Sequence, residues 1–62
     1  MTKITIDWLL YDGFNDDGYG EYSKDNVLLD GEYTDAGVYN LVINGEWIKE
    51  IETIEDINNI EL

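Results

Sequence analysis

Asn44-Gly45 separates two runs of alternating character, Val38 to Ile43 and Glu46 to Glu52. A two-residue type I′ turn needs positive φ at both central positions, which asparagine and glycine accept most readily, so the dipeptide dictates an antiparallel hairpin. A two-residue loop then pairs Ile43 with Glu46, Leu41 with Ile48 and Tyr39 with Glu50. The opposite face carries Val38, Asn40, Val42, Trp47, Lys49 and Ile51. Its large apolar groups Val38, Val42, Trp47 and Ile51 make it the expected core face. The first face mixes Tyr39, Leu41, Ile43 and Ile48 with Glu46, Glu50 and Glu52, a composition that suits a covering helix or a partner protein.

The rest of the chain extends this picture. Thr2 to Tyr11 alternates Ile4, Ile6, Trp8 and Leu10 against Thr5, Asp7 and Leu9, which predicts a strand. Asp12 to Asn26 is rich in Gly, Asp and Asn and predicts an irregular loop, with Tyr19 to Tyr22 able to pair as a short edge strand. An irregular stretch of about fifteen residues in a small domain is often functional. Val27-Leu28-Leu29 and Glu32-Tyr33-Thr34 flank Asp30-Gly31 as a second hairpin, and Asp35-Ala36-Gly37 forms a further turn. In the tail, Thr53 to Leu62, Thr53 is an N-cap and Glu55 and Asp56 occupy the first turn of a short helix. Such a helix survives only by packing Ile54, Ile57 and Ile60 on the sheet. The expected fold is α+β or mostly β: one domain over residues 1–62, a small twisted antiparallel sheet of three to five strands with a short C-terminal helix packed on it.

Composition decides which functions such a domain can carry. With 44% hydrophobic and 13% aromatic residues the chain can build a core, so its high charge does not imply disorder. It contains no Cys and no His, which excludes disulfides, thiolate or imidazole zinc sites and His-assisted nucleophiles. The loop from Asp12 to Glu21 resembles a calcium loop, but aligning Gly18 with the invariant turn glycine puts Gly13 where the first carboxylate ligand belongs. No metal or cofactor is therefore expected. A chain of 62 residues leaves little material to enclose a substrate pocket, so an enzyme is not expected either. Apolar runs are far shorter than the roughly 20 residues that span a bilayer. Met1-Thr2-Lys3 opens no secretory signal, and the expected location is the cytoplasm.

The dominant signal is electrostatic. Fifteen Asp and Glu stand against three Lys and no Arg, a net charge of −12. Such self-repulsion burdens a domain that is small to begin with. AT-rich coding would favour the many Ile and Asn, but it would favour Lys equally, so it does not account for the missing cations. Direct binding to nucleic acid or to an anionic membrane is excluded by sign. Carboxylates of one face repeat about 6.6–6.8 Å apart along a strand and about 4.8 Å apart between strands. Duplex DNA carries one charge per roughly 1.7 Å of axis. A sheet with acidic loops can thus offer rows of charge at phosphate-like spacing.

In length, acidity, lack of Arg and interleaving of carboxylates with aromatics, the chain resembles small phage-encoded DNA-mimic inhibitors, a group that includes anti-CRISPR, anti-restriction and uracil-DNA glycosylase inhibitors. The resemblance is one of class and spans the whole chain by composition. It implies a protein that blocks the basic nucleic-acid-binding channel of a host defence complex or DNA enzyme, in the cytoplasm of an infected cell. The carboxylates would pair with the Lys and Arg that normally grip phosphates. The residues expected at such an interface are Asp12, Asp16, Asp17, Glu21, Asp30, Glu32 and Asp35, then Glu46, Glu50 and Glu52, with Tyr19 and Tyr22 as aromatic contacts. Two alternatives use the same residues differently: an immunity protein or antitoxin against a basic nuclease toxin, and an adaptor that self-associates as a homodimer through Tyr39, Leu41, Ile43 and Ile48.

Overall fold

The computed structural model describes residues 1–60. Five antiparallel strands form one sheet in the order β1-β2-β3-β4-β5, each paired with its sequence neighbour. They are β1 Asn15–Gly18, β2 Glu21–Lys24, β3 Val27–Asp30, β4 Tyr39–Ile43 and β5 Glu46–Ile51. Two short helices, α1 Ile6–Tyr11 and α2 Ile54–Asn58, complete the elements of the described residues. The C-terminal helix is therefore as expected, and the last two residues of the tail, Glu61 and Leu62, lie outside the described residues.

The first element corrects the expected strand over Thr2 to Tyr11. Thr5 takes an extended conformation and its side chain accepts a hydrogen bond from the Trp8 amide, with Asp7 in the first turn. Ile4 before the cap and Leu9 one turn on are both buried, the pairing of a hydrophobic staple. At the other end Gly13 has φ +99°, its amide reaching the Leu10 carbonyl (3.2 Å) while Phe14 reaches Leu9 (2.9 Å). Those two bonds make a Schellman motif, and Leu9 and Phe14, which it brings together, are both in the core. Over six residues a period-two pattern and a capped helix compete, and here the caps and the burial of Leu9 win.

Asp12 to Asn26 is likewise more ordered than an irregular loop. The Tyr19 to Tyr22 region does pair at the sheet edge, but as part of a complete hairpin, β1–β2, that turns at Tyr19-Gly20 (φ 54° and 76°). The Asp16 carboxylate accepts from the Gly18 amide (2.9 Å), and the register shifts between those two residues. Glu32-Tyr33-Thr34 is a turn and not a strand. The Asp30 carboxylate takes the Glu32 amide (3.1 Å), and Gly31 donates to the Gly20 carbonyl (3.0 Å), so the chain folds against the first hairpin instead of returning along β3.

The Asn44-Gly45 turn forms as expected, with φ 53° and 81°. Ile43 pairs with Glu46, and Val42 with Trp47, but beyond them the register shifts: Leu41 faces Lys49 and Tyr39 faces Ile51. One extra residue, Ile48, is accommodated in β5 as a β-bulge. The slip carries Ile51 from the side of Val42 and Trp47 to that of Tyr39 and Leu41, and this side, not the expected one, is the core. Tyr39 and Leu41 are buried together with Tyr22, Val27, Leu29 and Ile51, and Leu9 and Ile57 of the helices join the same cluster. Trp47 is exposed. Of the four residues expected on a self-associating face, Tyr39 and Leu41 are thus buried against the chain's own helices, Ile43 is half-buried and Ile48 is exposed.

The α2 cap is the most completely satisfied local structure. The Thr53 hydroxyl accepts from the Asp56 amide while the Asp56 carboxylate accepts from the Glu52 and Thr53 amides, each at 3.2 Å. The N-terminal segment docks beside it: Ile54 donates to the Thr2 carbonyl (2.8 Å), and Thr2 donates to the Glu55 carboxylate (2.6 Å).

Candidate functional site

With the helices covering one face of the sheet, the other is left open. Strand alternation and the observed register put Asn15, Ser23, Leu28, Val42 and Trp47 in one row across that face, one from each strand. The adjacent row runs Glu21, Asp30, Asn40, Glu50 from β2 to β5. Leu28, Val42, Glu21, Asp30 and Asn40 are half-buried, Glu50 is exposed and Trp47 is 60% exposed. The Trp47 indole N–H donates to the Asn40 side-chain oxygen at 3.0 Å, tying the two rows together. The result is an apolar stripe beside an acidic one.

The bulge in β5 decides the charge of this face. A regular strand continuing from an outward Trp47 would turn Lys49 outward and Glu50 inward. Because both Ile48 and Lys49 fall opposite Leu41, the alternation resets: Lys49 lies on the helix side and Glu50 faces out. Lys24, opposite Val27, is also on the helix side, where it binds the Asp12 carbonyl (2.7 Å) and carboxylate (3.2 Å) and stands 5.6 Å from the Phe14 ring. Lys3 sits beyond the end of β5, bridged to Thr53. Neither Lys24 nor Lys49 belongs to the open face, and the chain has no arginine.

Ten of the twelve expected interface residues separate into three groups on this frame. Glu21, Asp30 and Glu50 converge in the acidic row. Asp16, Asp17 and Tyr19 lie on the exposed β1 edge and its turn, and Glu32 is drawn to the same end by the contact between Gly31 and Gly20. Asp35, Glu46 and Glu52 are exposed but apart from the row, in the β3–β4 connection, at the Asn44-Gly45 turn and after β5. Asp12 is half-buried and already ion-paired with Lys24, the one salt bridge among the described residues. Tyr22 is a correction. It is 5% exposed, edge-on to Tyr39 with ring centroids 6.0 Å apart, and so is a core residue and not a surface contact. Burial, reinforced by the Asp16 carboxylate, raises its phenol above the ordinary value, and burial also raises that of Tyr39.

The sequence places Trp47 in the expected core, because an unbulged hairpin puts it beside Val38 and Ile51. Only the bulge reveals it as a surface residue. Among the described residues no group of three or more potential ligands converges to hold a metal. No described helix is long and apolar enough to cross a membrane. A groove of about 290 Å³ runs between α2 and the β2–β3 turn and is lined by Phe14, Lys24, Val27, Ile57 and Ile60 among others. Its lysine is the one held by Asp12. Neither a family model, nor a curated protein, nor a solved structure matches the chain.

Proposed function

We propose that this chain is a binding protein, not an enzyme, that inhibits a basic nucleic-acid-binding protein by covering the surface that grips phosphates. The observation that carries the reading is the segregation of charge. A chain that burdens itself with a net −12 turns both of its strand lysines, Lys24 and Lys49, to the side its helices cover and away from the face they leave open. That face sets Glu21, Asp30 and Glu50 across four strands spaced about 4.8 Å apart, beside an apolar stripe. Carboxylates so arranged attract the lysines and arginines of a nucleic-acid channel over long range. Leu28, Val42 and Trp47 add the desolvated contact that turns encounter into residence. The class resemblance directs the reading to host defence complexes and DNA enzymes, met in the cytoplasm of an infected cell.

The test is retention of host proteins on the immobilised chain at low salt, followed by elution with a short DNA duplex at constant ionic strength. The expected result is a nucleic-acid-binding protein that the duplex displaces. The triple variant Glu21→Lys, Asp30→Lys, Glu50→Lys should not retain it. A retained protein that holds the duplex and this chain together, or one indifferent to the triple variant, overturns the proposal.

A further inference from the structure

We infer that the open face selects arginine over lysine, taking a guanidinium of the partner stacked on Trp47 with its fork directed to Glu50; the inference rests on the reading above. The indole N–H is already engaged by Asn40 at 3.0 Å. That bond fixes the ring on the sheet and leaves its exposed part to act through the π-face. Trp is the strongest aromatic partner for a cation, and a cation within about 6 Å of the ring centroid is held by the ring quadrupole. Glu50 is the next residue of β5 to face outward, since the bulge turns Ile48 and Lys49 to the other side. Trp47 and Glu50 stand opposite Val42 and Asn40, same-face neighbours of β4 spaced about 6.6–6.8 Å, so a guanidinium can stack on one and bond the other.

A planar, weakly hydrated guanidinium can stack on the indole and donate two parallel bonds to a carboxylate at once. An ammonium is compact and strongly hydrated, and gains from the carboxylates without the stacking. The half-buried Val42 opposite Trp47, with Leu28 next to it in the same row, keeps the site partly dry, which favours the less hydrated cation further. Trp47 thus adds a chemical preference to a face that charge alone would leave indifferent between the two cations.

The experiment uses the full chain carrying Trp8→Phe, so that Trp47 is the sole tryptophan and its emission reports on the face. Trp8 packs against the core on the helix side and belongs to no part of the proposed site. Hexa-arginine and hexa-lysine peptides of equal charge are titrated in low salt. The arginine peptide should shift the Trp47 emission and bind about two- to five-fold more tightly than the lysine peptide, the range expected of an exposed cation–π contact. With Trp8 restored, Trp47→Ala should bring the two peptides to equal affinity by calorimetry, and Trp47→Phe should keep a smaller preference. Glu50→Gln should weaken both peptides but the arginine peptide more. Equal affinity for the two peptides, or a preference that survives Trp47→Ala, overturns the inference while leaving the acidic-face reading standing. Binding of neither peptide overturns both.

Discussion

Gly31 lies between the Gly20 carbonyl, to which it donates, and the ring of Tyr39. A β-carbon built there would lie 2.8 Å from the buried Tyr39 ring, so glycine is required by close approach, not by an unusual φ. Gly31→Ala should cost about 1–3 kcal/mol as the ring is displaced, seen as a lower unfolding midpoint in urea. The sequence marks Asp30-Gly31 as a turn, but the ring that Gly31 accommodates is visible only once Tyr39 is known to face inward. Thr53 and Asp56 form the opposite case, a structure legible from residue types alone. Hydrogen bonds from the Glu52 amide first, then from Thr53, hold the Asp56 carboxyl below its ordinary value. Its ionised form is therefore the one that stabilises the fold. That contribution is complete above the unfolded value near 4 and is lost as pH falls through the depressed folded value. Thr53→Ala should cost about 0.5–2 kcal/mol at pH 7. An unfolding series from pH 5 to 2 should show a shallower acid loss in Asp56→Ala than in the wild-type chain.

Among the elements, the strands with turn dipeptides were readable and the ones shaped by a single inserted residue were not. Asn44-Gly45 specified its hairpin, yet nothing in Glu46-Trp47-Ile48-Lys49-Glu50 announces a bulge, and one extra residue exchanges the faces of everything after it. The first helix was missed for a different reason. Its Thr5 cap and Asp12-Gly13 stop are ordinary helix signals, but a short apolar alternation reads as a strand unless the caps are weighed against it. The acidic row follows from the same register. Glu21 and Asp30 are direct cross-strand partners, and like charges so placed oppose folding. Glu21→Gln should raise stability by about 0.2–1 kcal/mol, measured by chemical unfolding, while weakening binding of a basic partner. A loss of stability in that variant would mean that the row is held by interactions other than those described.

At the scale of the whole molecule, stability and binding should respond to salt in opposite directions. The net charge of −12 places the folded state under self-repulsion that ions screen. The unfolding midpoint should therefore rise between low salt and about 0.5 M NaCl. A gain of about 1 kcal/mol corresponds to roughly 4–8 °C in a domain of this size. Affinity for a basic partner should fall over the same range, since screening weakens steering. The sequence supplied the amount of charge, and only the sheet order and the β5 bulge supplied its distribution. The most direct test is competition on one purified partner: bound, labelled duplex DNA is titrated with the wild-type chain and with the Glu21→Lys, Asp30→Lys, Glu50→Lys variant, and displacement is followed by fluorescence anisotropy. Stoichiometric release by the wild-type chain and none by the variant is the predicted result; equal release by both, or a ternary complex with the duplex retained, would contradict it.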